Sequence, residues 1–212
     1  MARRFPFELL EDPAELARYH GWSEQVYADL LAVQRGTLSP QAFDARYLRR
    51  KALLVLDLTG FTVSALRGGA LHSFLRILDA QKVCLPVLRQ GQAELIWMLA
   101  DNMFAVFDQA GPALDAALEI HRRNAQFAAS ERSGGDAAQC CIGIGYGPVY
   151  RIGPNLAMGD EMNRTCKLGE DIARGGETLV TEGAVAALRG RADVTFEPQA
   201  GDDLLFPYYR VA

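Results

Sequence analysis

The chain has 212 residues, 50% of them apolar and 23% charged, which suits one globular domain plus an extension and a core that needs no staples. A formal net charge of −4 with no Lys/Arg stripe argues against a nucleic-acid partner. No apolar run approaches the ~20 residues of a membrane span, and Arg3-Arg4-Phe5-Pro6-Phe7 is interrupted too soon by Glu8, Glu11 and Asp12 for a signal peptide, so a cytoplasmic protein without a membrane partner is expected.

Residues 1–50 read as a helical extension. Asp12-Pro13 is a helix start, and Leu16, Tyr19, Val26, Leu30 and Val33 follow near helical spacing up to Gln34, with Gly21 a candidate break and Gly36 a stop. Ser39-Pro40 restarts a short helix with Phe43, Tyr47 and Leu48 on one side. Such an arm packs on its own domain or on a partner subunit. From Lys51 the pattern changes, and residues 51–212 read as a second, catalytic domain. Ala52–Leu56 is a continuous apolar run, as in a central strand buried on both faces.

Thr59-Gly60 turns the chain, and a helix is predicted over Ser64–Lys82, breakable at Gly68-Gly69. Leu85–Leu88 and Glu94–Leu99 read as strands, and Ala100-Asp101-Asn102 turns into a return strand Met103–Phe107, a β-hairpin. Gly111-Pro112 opens an amphipathic helix to about Ala129, with Leu114, Ala117, Leu118, His121 and Ala125 on one face. Ser133–Asp136 is a loop and Gln139–Tyr146 a strand; a helix runs from Gly159 to about Ala173. Strands at Thr178–Val180, Val194–Glu197 and Leu204–Val211, with a short helix at Glu182–Leu188, complete the chain. Helices and strands mix without strict alternation, which predicts an α+β sandwich with one largely antiparallel sheet.

The cysteines Cys84, Cys140, Cys141 and Cys166 match no zinc spacing and read as small buried hydrophobes, with Cys140 and Cys141 on opposite faces of a strand.

Two carboxylates stand where apolar runs end, Asp57 after Leu-Leu-Val-Leu and Asp101 after Trp97-Met-Leu-Ala. Hard oxygen donors with no nearby His or Cys suit Mg²⁺ or Mn²⁺. The turn Leu58-Thr59-Gly60-Phe61-Thr62 can aim backbone N–H groups at a triphosphate from a helix N-terminus. Each carboxylate also has a plain structural role open to it, Asp57 as a helix cap and Asp101 as a turn residue. Asn163 and Lys167 are i and i+4, on one helix face, where an amide and a cation hold a ribose and a phosphate or are simply solvated. Gly143, Gly145 and Gly147 alternate, which puts them on one strand face and lets a backbone or helix come close.

In order, these segments resemble the class III nucleotide cyclases, over about Lys51 to Val211. Leu56-Asp57-Leu-Thr-Gly60-Phe61-Thr62 looks like that family's first metal motif and Ala100-Asp101-Asn-Met-Phe-Ala-Val-Phe107 like its second, which normally opens with Gly-Asp. Ile142–Val149 is similar to its glycine strand, Gly159–Leu168 to its Gly-x-x-x-Asn-x-x-x-Arg segment, and Gly176–Thr181 to the strand that follows.

The resemblance implies a ferredoxin-like βαββαβ core and a head-to-tail homodimer with composite active sites. Asp57 and Asp101, with Leu58 beside the first, would hold two divalent ions (Mn²⁺ or Mg²⁺) in one protomer, and Asn163 and residue 167 would come from the other. The reaction implied turns a nucleoside triphosphate into a 3′,5′-cyclic nucleotide and pyrophosphate.

Three positions depart from that pattern. The transition-state Arg is Lys167, which keeps the charge but loses the planar fork. The purine-selecting Lys falls at Trp97 and its Asp/Thr partner at Leu156, and neither makes polar contacts to a purine. Either the substrate has been lost, or the base pocket has been remade, with the Trp97 indole narrowing it and offering a stacking face; Trp97 as core filler beneath the sheet also stays open. A narrowed pocket points to UTP or CTP, and the compact, stand-alone format is similar to the pyrimidine cyclases of bacterial Pycsar antiphage defence, whose products act on a downstream effector protein. An unconventional adenylate cyclase and a catalytically silent regulatory module are the rival expectations.

Overall fold

The computed structural model describes residues 9–19, 21–59, 61–130, 139–153, 157–199 and 205–212, and for 61–68 the backbone alone. Gly60, Leu156, the loop 133–136 and the start of the last predicted strand at Leu204 lie outside the described residues, as do the side chains of Phe61 and Thr62. The chain forms two compact units, one of Met1–Arg49 with Tyr150–Met158 and one of Arg50–Val149 with Gly159–Ala212.

In the first unit, helices α1 (Pro13–Ala17), α2 (Glu24–Gln34) and α3 (Pro40–Tyr47) each begin at a side-chain cap, Asp12, Ser23 and Ser39, whose oxygens accept backbone N–H groups of the first turn. Val26, Phe43 and Ile152 form a small apolar centre, joined by Trp22, Leu30 and Tyr150. The buried carboxylate of Asp29 ties α2 to α3, accepting from Arg46 at 2.7 Å and from the Tyr47 hydroxyl at 2.7 Å.

The second unit is built on a sheet whose strands are β1 (Leu48–Leu58), β2 (Leu95–Leu99), β3 (Asn102–Phe107), β4 (Cys140–Arg151), β6 (Thr178–Thr181), β7 (Phe196–Gln199) and β8 (Tyr208–Val211). They lie in the order β2-β3-β1-β4-β6-β8-β7, and the two-residue β5 (Ala157–Met158) pairs with the end of β4. β4 and β6 run parallel, while β1–β3, β2–β3, β6–β8 and β7–β8 are antiparallel. With α4 (Phe61–Gln90) between β1 and β2 and α5 (Ala110–Ala128) between β3 and β4, the first half reads β-α-β-β-α-β. The α+β, largely antiparallel sheet expected from the sequence is what forms.

Strand parity sorts the side chains. Ala52, Leu54, Leu56 and Leu58 of β1, Met103, Ala105 and Phe107 of β3, and Cys140, Ile142 and Ile144 of β4 face one main core. α4 covers it with Ala80, Cys84, Val87 and Leu88, and α5 with Ala113, Leu114, Ala117 and Ile120, each set at helical spacing. Leu53, Val55 and Asp57 of β1 therefore face the opposite side of the sheet.

Several elements differ from the sequence expectation. Leu85–Leu88 is no strand: α4 runs on through Pro86 to Gln90, with a kink at Gly69 (φ 77°). Four apolar residues do not distinguish a strand from a buried helix turn, and here Cys84, Val87 and Leu88 continue the buried face begun at Ala80 while Pro86 stays exposed. β4 extends five residues beyond Tyr146. The predicted helix to Ala173 is α6 (Asp160–Cys166) followed by a π-helical segment, Lys167–Ile172. The cysteines carry free thiols, three of them buried.

Candidate active site

Pairing of β1 with β3 puts Leu56 opposite Met103. Asp57, the next residue on β1, and Asp101, in the turn just before β3, are thereby brought to the same end of the sheet. The β2–β3 hairpin that carries Asp101 is tight, with Leu99 opposite Asn102 and only Ala100 and Asp101 in between. Ala100 takes φ +55°, the left-handed region that favours glycine.

Asp57 is half-buried. Burial pushes its carboxyl up to about 6; the negative charges of Asp101, Glu170 and Asp171 push the same way, against one backbone N–H from Leu58. The Leu58 side chain faces the core. Asn102 donates to Glu170 Oε1 at 3.5 Å, while its buried Oδ1 has no hydrogen-bond partner among the described residues. Crowded carboxylates and a spare amide oxygen fit a hard divalent ion. Among the described residues no group of three or more His, Cys, Asp or Glu side chains is placed to hold a metal ion by itself.

Thr59 is committed elsewhere, its N–H and its hydroxyl both donating to the Gln139 carbonyl at 2.9 Å. In this structure Thr59 braces the loop and neither donor is turned to a phosphate. The roles expected for Gly60, Phe61, Thr62 and Leu156 fall outside the described residues and side chains.

Trp97 lies on the face opposite the main core, one residue after Ile96, which packs against that core. It is therefore not filler beneath the sheet. Its register partner is Phe104, and the two rings stack at 4.9 Å between centroids and 9° between planes. The indole is thus held flat, on the same face of the sheet as Asp57.

On that face α6 lies against β4. A Cβ on Gly143 would come within 2.7 Å of the Gly169 nitrogen, and one on Gly147 within 3.1 Å of Glu161 Cγ. The alternating glycines thus allow the helix to approach, as their spacing predicts. α6 begins at Gly159, whose φ of 127° only glycine adopts readily. Glu161, Met162 and Thr165 are buried against the sheet; Asn163, Arg164 and Lys167 are exposed. Lys167 Nζ meets Asp171 Oδ2 at 2.8 Å, an exposed pair worth roughly 0.3–0.5 kcal/mol and so easily exchanged for another anion.

Glu161, Asn102, Phe104 and Glu170 join this region without having been singled out by the sequence. Only Glu161 left a legible sign, an acidic residue four before Thr165, on the helix side facing the glycines.

The fold is that of the adenylyl and guanylyl cyclase domains. The adenylyl cyclase CyaB from P. aeruginosa superposes with a TM-score of 0.64 at 17% identity, covering 78% of this chain and 95% of that one. An adenylate/guanylate cyclase/hydrolase from Silicibacter pomeroyi gives 0.62 at 25% identity, covering 77% and 95%. The guanylate cyclase domain of RhGC from Catenaria anguillulae, solved in complex with GTP, gives 0.63 at 16% identity, covering 77% and 96%. No protein-family model and no curated protein matches the sequence. Across this cyclase fold, no helix among the described residues is long and apolar enough to cross a membrane.

Proposed function

We propose that this chain is a metal-dependent nucleotide cyclase acting in the cytoplasm on a pyrimidine nucleoside triphosphate, UTP ahead of CTP, and releasing the 3′,5′-cyclic nucleotide and pyrophosphate. Residues 51–212 are the catalytic domain and 1–50 a helical extension. The observation that carries the reading is the pairing of Asp57 and Asp101 at one end of a cyclase-fold sheet, on carboxylates that repel one another and so favour a cation. Two divalent ions there would neutralise the triphosphate and acidify the ribose 3′-OH.

The chain's own residues do the rest by positioning. Asp57 and Asp101 fix the triphosphate end. Asn163 orients the ribose, and Lys167 exchanges Asp171 for the charge that builds on the triphosphate. Asn163 on α6 and Lys167 just past its end are both exposed, which supports a head-to-tail homodimer in which each protomer donates them to its partner's site. The stack of Trp97 on Phe104 supports a flat apolar surface against which a small base lies, in place of the polar readers of a purine. Product release would signal to a separate effector, in the manner of antiphage pyrimidine cyclases.

Incubation of the purified protein with each of ATP, GTP, UTP and CTP plus Mn²⁺, with products resolved by mass spectrometry, tests the reading. cUMP or cCMP is expected. Turnover of ATP alone refutes the pyrimidine assignment, and no product from any nucleotide leaves a silent regulatory module.

A further inference from the structure

The buried side of α6 carries a carboxylate that no step above uses. Glu161 is 7% exposed, and its Oε1 accepts two hydrogen bonds, from the Tyr146 amide at 2.9 Å and from the Thr181 hydroxyl at 2.5 Å. The first meets a need of the sheet. Ile142 donates to the Glu177 carbonyl across the parallel β4–β6 ladder, which ends at Ile144 and Val180. Thr181 then becomes the N-cap of α7 (Glu182–Ala187), its hydroxyl accepting the Ala184 N–H at 3.3 Å. Two residues beyond Ile144, the Tyr146 N–H points to the same side with no strand amide ladder left to join, and a buried N–H without an acceptor is costly. Glu161 supplies that acceptor.

The side chain has room because of the glycines. A Cβ on Gly145 would stand 2.9 Å from Glu161 Oε1. Within α6 the Thr165 hydroxyl donates to the Glu161 carbonyl at 2.6 Å. One carboxylate therefore joins β4, β6, the start of α7 and α6. The rotation of α6 about its axis sets where Asn163 and Lys167 project, and Glu161 fixes that rotation from the opposite side.

We infer that Glu161 is a positioning residue for the site that α6 donates to the partner protomer, holding Asn163 and Lys167 in register through its bonds to Tyr146 and Thr181. The inference rests on the cyclase reading. It assigns Glu161 no contact with substrate.

Glu161→Met fills the same space without an acceptor, and Glu161→Gln keeps Oε1 for both donors. In the Mn²⁺-nucleotide assay the Met variant should lose at least tenfold in kcat while KM stays within threefold, because the residues at the metal end are untouched. Amide hydrogen exchange over residues 160–172 should quicken in the same variant, with the β2–β3 hairpin unchanged, and the Gln variant should restore most of both. Mixing Glu161→Met with Asp101→Ala protomers should raise activity to roughly a quarter of wild type, since half of the dimers then keep one sound site of two.

Full kcat in the Met variant, unaltered exchange over 160–172, or no recovery on mixing would each overturn the proposal. If the wild-type protein cyclises no nucleotide, the cyclase reading fails by itself. The exchange measurement then decides separately whether Glu161 holds α6.

Discussion

Replacing Asp57 by Asn should make the metal-free protein more stable while abolishing turnover. Burial and three neighbouring carboxylates raise the Asp57 carboxyl from 3.8 to about 6. A raised acid costs the fold stability once ionised: the cost is absent below pH 3.8, grows as pH rises towards 6, and is complete above it. About two pKa units correspond to at most ~3 kcal/mol, and solvent screening of a half-buried group reduces that to about 1–2 kcal/mol.

Asn keeps the shape and removes the charge. Urea unfolding in the presence of a chelator, at pH 4 and pH 7.5, reads the difference from the midpoint at constant slope. The variant should be more stable by about 1–2 kcal/mol at pH 7.5, or roughly 3–6 °C in Tm for a chain of this size, and the two proteins should converge towards pH 4. Added Mn²⁺ should stabilise the wild type by mass action and the variant little. A variant no more stable than wild type at pH 7.5 would refute the reasoning and make Asp57 a structural cap.

Gly143→Ala would drive a methyl into the backbone of Thr165 and Gly169; a loss of about 1–3 kcal/mol in chemical denaturation and a fall in kcat through displaced α6 are expected. Ala100→Gly should relieve the left-handed φ of +55° and raise stability by about 0.5–1 kcal/mol in thermal unfolding, because only glycine adopts that backbone without strain. Trp97→Ala removes the stacking wall; the ratio of kcat/KM for UTP over ATP should fall by about fivefold, the value of an aromatic stack of ~1 kcal/mol. An unchanged ratio would mean that the Trp97–Phe104 pair is structural.

Much of the fold was legible because its signals are local. Asp12-Pro13 and Ser39-Pro40 mark helix starts wherever they stand, whereas the cap at Ser23, which starts a separate α2, was not read from the sequence; the glycine alternation at 143, 145 and 147 states that something must pack close. Leu85–Leu88 was misread because an apolar tetrad carries no period of its own. Only the core offered by Leu54, Leu56 and Phe107 makes it a helix face. In the candidate site, Asp57 and Asp101 stand out as carboxylates ending apolar runs.

The sequence by itself therefore determined the residue types available for chemistry and the elements that carry them. The tertiary structure decided which of them meet. The antiparallel β1–β3 register, set by shared burial across the intervening α4 and β2, is what brings two aspartates 44 residues apart to one end of the sheet. Glu161 and Phe104 acquire their roles only there, since a buried acceptor needs the end of the β4–β6 ladder beside it and a stacking partner needs the strand across from Trp97. Non-local pairing of this kind leaves no periodicity in a chain; it exists only once the backbone has closed on itself.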